Sequence, residues 1–124
     1  MADLLETIEV PREIVKKDSP VIFRFFDDGI KALFEDDECK YTFAKFNAIR
    51  LKKAKLLSPV ASIVLIRVED EKETVYAKFD FAGAFSNETI ANDFLDLFEE
   101  KLGSVYPPSI YHVSIIKETI CNPN

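Results

Sequence analysis

Residues 62–103 read SIVLIRVEDEKETVYAKFDFAGAFSNETIANDFLDLFEEKLG, and this stretch states the architecture most clearly. From Val75 the odd positions are Val75, Ala77, Phe79, Phe81, Gly83 and Phe85; the even ones are Tyr76, Lys78, Asp80, Ala82 and Ala84. Period two marks a strand with one buried face and one wet face. A turn at residues 70–73 sets Val68 against Val75, Ile66 against Ala77 and Val64 against Phe79, so the apolar sets of both strands share a face. The outward side then pairs Arg67 with Tyr76. It also carries Ile63 and Leu65, which predicts a first strand covered on both sides.

Beyond that hairpin the period changes. Ser86 stands at the N-cap of a helix with Glu88 in its first turn, where the dipole favours an acid. Ile90, Ala91, Phe94, Leu95, Leu97, Phe98 and Leu102 form a broad apolar face, and Gly103 is the expected stop. The opposite face carries Asn92, Asp93, Asp96, Glu99 and Glu100. The spacing predicts a helix over 86–102 that is acidic outside and apolar inside.

Working towards the N-terminus, residues 21–43 alternate as strictly. A turn at Asp28-Gly29 sets Phe25 opposite Ala32 and Phe23 opposite Phe34. A second turn at residues 35–38 sets Phe34 opposite Cys39, Ala32 opposite Tyr41 and Ile30 opposite Phe43. Both registers select one face, which predicts a three-stranded meander. Ile22, Phe26 and Leu33 fall on its other face. Residues 4–10 read as a short strand and 11–17 as a short helix opened by Pro11. Residues 44–57 have helix-friendly composition, although Phe46, Ile49 and Leu51 also permit a strand; helix is the reading adopted, ending before Ser58-Pro59. Residues 105–108 form an extended connector, and 110–117 a last strand, apolar on both faces and so internal or helix-covered. Residues 122–124 are expected to fray.

Composition bounds the function. The chain has 124 residues, the length of one domain, and 48% apolar residues, enough for a real core. Its net charge of −6 repels nucleic acid and anionic membrane at long range. No basic region followed by an apolar run opens the chain and no stretch has transmembrane length, so an intracellular, soluble (cytoplasmic) protein without membrane association is expected. The two cysteines, Cys39 and Cys121, are far apart in sequence and fit reduced thiols.

No residue set points to catalysis, a cofactor or a metal. The acids Glu35-Asp36-Asp37-Glu38 lack the alternating ligands and fixed glycine of a calcium loop and read as a solvated hairpin tip. His112, the only histidine, has no nucleophile context and reads as a structural strand residue. Cys39 falls on the predicted core face, so it reads as packing. Asn87-Glu88-Thr89 matches a glycosylation sequon but reads as a helix start. Three glycines in the whole chain leave no phosphate-cradling loop. Lys45, Arg50, Lys52, Lys53 and Lys55, with Phe43 and Phe46 beside them, are the best nucleic-acid or acidic-partner segment.

The hairpin SIVLIRVED…TVYAKFD over residues 62–80 resembles one found in DNA sliding clamps. The order strand, short helix, three-stranded meander, hairpin is also similar to one clamp domain, over about half the chain. A clamp subunit needs at least two such domains and this chain has room for one. The resemblance assigns no site residue.

The expected fold is therefore α+β: a single domain, residues 1–124, with a mainly antiparallel sheet of six or seven strands (meander, hairpin and C-terminal strand). One long amphipathic helix packs on it, with one or two short helices elsewhere. The expected function is a non-enzymatic protein-interaction module, a small subunit or regulator in a larger assembly, with a protein partner or a second copy. Its candidate surfaces are Ile22, Phe26 and Leu33 on the meander and Asp93, Asp96, Glu99 and Glu100 on the helix. The alternatives are nucleic-acid binding through residues 45–55 and a small-molecule or lipid pocket between sheet and helix.

Overall fold

A computed structural model describes residues 2–55, 57–82 and 87–117. The expected N-cap Ser86, the strand end at residues 83–85, Cys121 and the terminal residues 122–124 lie outside the described residues. The fold is α+β, but its strands divide between two four-stranded sheets instead of forming one. The first sheet runs in the order β1 (Leu4–Glu9), β2 (Ile22–Phe26), β3 (Gly29–Leu33), β4 (Glu38–Thr42). The second sheet contains β5 (Ala48–Lys52), β6 (Val60–Glu69), β7 (Lys72–Ala82) and β8 (Ser114–Lys117), in the order β7-β6-β5-β8. A 3₁₀ turn at Arg12–Ile14 takes the place of the short helix expected at 11–17, and α1 spans Glu88–Val105.

The meander forms on the expected face with both registers moved by two residues. The first turn is Asp27-Asp28, so Phe25 pairs with Ile30 and Phe23 with Ala32. On the other side Ala32 pairs with Cys39 and Ile30 with Tyr41. An even shift preserves which side chains face inward. Phe23, Phe25, Ile30 and Ala32 are accordingly buried, and Phe34, Tyr41 and Phe43 pack against the same core. Cys39 departs from expectation: its thiol is exposed, because the edge strand β4 begins outside the shelter of the core.

The hairpin β6–β7 differs by two residues next to its turn and by one beyond a bulge, and the odd shift has the larger consequence. Its turn is the two residues Asp70 and Glu71, with φ 52° and 64°. Leu65 pairs with Ala77 but Ile66 pairs with Val75, leaving Tyr76 with no residue opposite. That β-bulge breaks the alternation of β7 and sets its inward Ala77 and Phe79 opposite Leu65 and Ile63 of β6. Ile63 and Leu65, expected on the outer side, are in the main core at 0% and 1% exposure. Val64 and Ile66 instead join Ala48 in a second small cluster, with Val68 and Ile116 packed on it. Val75, beyond the bulge, is 60% exposed, while Ala77, Phe79 and Phe81 face inward as the alternation predicts. The prediction of cover on both sides of β6 therefore stands, with the two faces exchanged.

Two consecutive left-handed residues without glycine are costly, about 1 kcal/mol or more each for an L side chain. Glu71→Gly is expected to raise the unfolding free energy by about 0.5–1 kcal/mol, net of the greater freedom of the unfolded chain. Urea unfolding at constant m-value reads it, and a loss of stability would count against this turn.

Within 44–57, expected to be helical, Ala48–Lys52 form the strand β5. The exposed edge of β6 recruits them, from Ala48 opposite Ile66 to Lys52 opposite Ser62. The Asn47 side chain locks the start by accepting the Val68 N–H at 2.9 Å and donating to the Val68 carbonyl at 3.0 Å. Tertiary pairing outweighs a weak helix propensity here. The last strand is shorter than expected and runs parallel to β5 at the sheet edge, not internally. Its apolar residues still split between faces, Ile115 to the main core and Ile116 to the second cluster.

The helix packs against β1, β6, β7 and the 3₁₀ turn, burying Ala91, Phe94, Leu95, Phe98 and Leu102. Each large side chain so buried contributes roughly 1.5–3 kcal/mol. Leu97, read as part of that face, is 40% exposed. Gly103 does not stop the helix, which continues to Val105 before Pro107 and Pro108. Tyr106 follows immediately and anchors the end: its hydroxyl donates to the Phe26 carbonyl at 2.7 Å and lies 3.1 Å from that of Gly29. Burial pushes the Tyr106 hydroxyl pKa well up, so it remains a donor. Asn92 makes a two-way amide pairing with Ala54, at 2.8 and 3.1 Å.

Candidate docking face

Alternation on the first sheet leaves Ile22, Arg24 and Phe26 of β2, Lys31 and Leu33 of β3, and Glu38, Lys40 and Thr42 of β4 on its outer side. The observed register then does something not evident from spacing alone. Arg24 stands directly opposite Lys31, and Lys31 directly opposite Lys40, a row of three cations across three strands. Like charges in direct opposition destabilise a sheet, so such a row needs compensation.

Two of the three cations are compensated. Lys31 pairs with Glu38 at 3.2 Å and Lys40 with Asp28 at 2.7 Å. Both ammoniums also sit over the Phe26 ring, at 5.7 and 4.5 Å from its centroid. A cation over an aromatic face is worth about 0.5–1 kcal/mol at an exposed site. Phe26 is thereby half-buried on an outward face, and its main chain is held from behind by Tyr106. Arg24, half-buried in the same row, makes no ion pair among the described residues. Ile22 and Leu33, opposite one another, close this face at the far end of β2. Beside Ile22 opens a cavity of about 530 Å³, walled by Val10, Val15, Val21 and Phe34 and rimmed by Glu9, Arg12 and Glu35.

The acidic helix face is less free than its sequence implies. Asp96 pairs with Lys53 at 3.0 Å and Glu99 with Lys117 at 3.5 Å, whereas Asp93 and Glu100 point to solvent. The basic run is scattered. Lys45 lies in the turn after β4; Arg50 and Lys52 share the outer side of β5; Lys53 turns to the helix; and Lys55 forms a backbone bridge with Ser58. Arg50 bonds Glu73 at 2.7 Å, and that hydrogen bond holds the Glu73 carboxyl below the usual range. The pairing is therefore present above the ordinary glutamate range and lost as pH falls through the depressed value.

Other sequence candidates resolve simply. Glu35–Glu38 forms a hairpin tip in which the Asp37 carbonyl accepts the Phe34 N–H. Among the described residues no group of His, Cys, Asp and Glu side chains is arranged to hold a metal ion. His112 is exposed and lies just before β8 instead of within a strand. Ser19, Ser62 and Asp80 form a half-buried cluster in which both hydroxyls donate to Asp80, one to its carbonyl and one to its carboxylate. No helix is long and apolar enough to cross a membrane, among the described residues.

Sequence reasoning found Ile22, Phe26 and Leu33 on this face and missed Arg24, Lys31 and Lys40. The available signal was their parity: Arg24 and Lys31 sit two residues from Ile22 and Leu33, and Lys40 lies between Cys39 and Tyr41, both expected on the core face. Comparison with protein-family models, with curated proteins and with solved structures finds no match.

Proposed function

We propose that this domain is a protein-interaction module, a subunit or regulator of a larger assembly, whose partner docks on the outer face of the first sheet. The observation that supports this most is Arg24, half-buried between Lys31 and the Ile22 side of the face with no ion-pair partner among the described residues. Arginines and aromatic side chains in that setting are where docking energy concentrates. The partner chemistry that fits is an apolar contact on Phe26, Ile22 and Leu33 together with a carboxylate for Arg24.

Nucleic-acid binding through residues 45–55 has less support. Arg50 and Lys53 are committed to Glu73 and Asp96, and the five cations do not share a face. A ligand between sheet and helix also has less support, since Phe23 meets Phe79, Phe94 and Phe98 there at centroid distances of 5.5, 6.4 and 5.1 Å.

The test compares partners retained by the wild-type chain, by Arg24→Glu and by Asp93→Lys/Glu100→Lys. The expected result is a partner lost about tenfold or more with Arg24→Glu and kept by the helix variant. A partner lost only with the helix variant would move the docking site to the helix. Salt-sensitive oligonucleotide binding abolished by Lys52→Glu/Lys53→Glu would replace this reading with the nucleic-acid one.

A further inference from the structure

The outer edge of β4 carries a further inference, in which Glu38 and Lys40 of the docking face also take part. Phe34 N–H donates to the Asp37 carbonyl at 2.8 Å, and Phe43 N–H donates to the Asp28 carbonyl at 3.0 Å. These contacts bracket the β3–β4 ladder and fix its parity. Bonded and non-bonded pairs alternate in an antiparallel ladder, so Cys39 and Tyr41 bond to their β3 partners Ala32 and Ile30. Glu38, Lys40 and Thr42 then direct their N–H and C=O groups away from the sheet. Among the described residues no strand follows β4 in the sheet order. The strands at the other long edges, β1 and β7, both carry register shifts that blunt them, and β8 has only four residues. β4 is regular throughout its pairing.

We propose that this edge pairs with β4 of a second copy of the chain, antiparallel, about a two-fold axis passing through Cys39. In that register the outward-bonding Glu38 stands opposite Lys40 of the second copy, and Lys40 opposite its Glu38, so both cross-strand pairs are of opposite charge. The register centred on Lys40 would instead oppose two lysines. The acids Glu35, Asp36 and Asp37 then run past residues 43, 42 and 41 of the second copy, none of which is acidic. A two-fold contact uses the same patch twice and closes on itself, giving one eight-stranded sheet across the pair. Cys39, exposed and free, falls on the axis at a non-bonded position. Cα atoms there lie about 4.5 Å apart, within the range a disulfide spans. The thiol reports the geometry and need not be oxidised for the pairing to hold.

A five-residue edge buries little area, so the association is weak and concentration-dependent. Sedimentation over a wide concentration range tests it on the full chain with Cys121→Ser as background. Glu38→Lys and Lys40→Glu should each weaken self-association about tenfold, since each places like charges across both pairs. The double variant Glu38→Lys/Lys40→Glu, which restores opposite charges, should recover it. Under mild oxidation the background should give a Cys39-linked dimer that the single charge variants form more slowly. A monomer at every concentration, a dimer indifferent to the single reversals, or a double variant that stays monomeric with an unchanged unfolding midpoint would each overturn the proposal. Because partner docking is read through Arg24 and self-pairing through Glu38 and Lys40, either can fail without the other.

Discussion

Replacing Phe23 with alanine lowers the unfolding free energy by about 3–5 kcal/mol, a large share of what a domain of this size possesses. Phe23 is fully buried on β2 and its ring meets those of Phe79, Phe81, Phe94 and Phe98, with centroids 5.1–6.4 Å away. It is thus the residue at which the first sheet, the second sheet and the helix meet. Alanine removes the transfer energy of a phenyl ring and leaves a cavity whose walls belong to three different elements, so none can relax inward without disturbing the others. Phe23→Leu, which keeps most of the volume, should cost less than half as much. Denaturant unfolding monitored by tyrosine fluorescence measures both. Equal losses for the two variants would mean that ring contacts, not cavity volume, dominate at this site.

Gly29→Ala is expected to destabilise by about 1–3 kcal/mol, and Gly103→Ala to stabilise by about 1 kcal/mol. Neither glycine has positive φ, so conformational freedom is not the reason for either. A Cβ at Gly29 would collide with the Tyr41 carbonyl oxygen and come within 2.8 Å of the Thr42 Cα, both main-chain atoms of β4. Relief requires β3 and β4 to separate, and the Gly29 carbonyl is also within reach of the Tyr106 hydroxyl that fastens the helix end. At Gly103, within the helix, an added Cβ meets nothing within 4 Å. Opposite signs for the same chemical change, read as shifts in urea midpoint, would confirm that close approach decides the first and helix propensity the second. A neutral Gly29→Ala would mean that β3 and β4 are further apart at this point.

The glycine pair also shows where local reading misleads. Asp28-Gly29 has the composition of a hairpin turn and Gly103 that of a helix stop, yet the turn is Asp27-Asp28 and the helix runs through to Val105. In each case a distant contact settled the position: Tyr41 for the glycine of β3, and the seating of Tyr106 against Phe26 for the helix end. The candidate site followed the same division. Ile22, Phe26 and Leu33 were legible as outward residues because parity survives a two-residue shift. The cation row was not, because direct opposition depends on the exact register that the shift altered.

By itself the sequence determined that the chain is α+β, which residues of the meander face inward, Cys39 excepted, and which face of the helix is apolar, Leu97 excepted. Those properties rest on periods of two and 3.6, which the covalent chain imposes within each element. Only the tertiary structure decided the division into two sheets, the strand at Ala48–Lys52, the exchange of faces along β6 and the alignment of Arg24, Lys31 and Lys40. Each depends on pairing between strands, where one bulged residue at Tyr76 or one open edge on β6 outweighs the few tenths of a kcal/mol per residue by which local preferences differ.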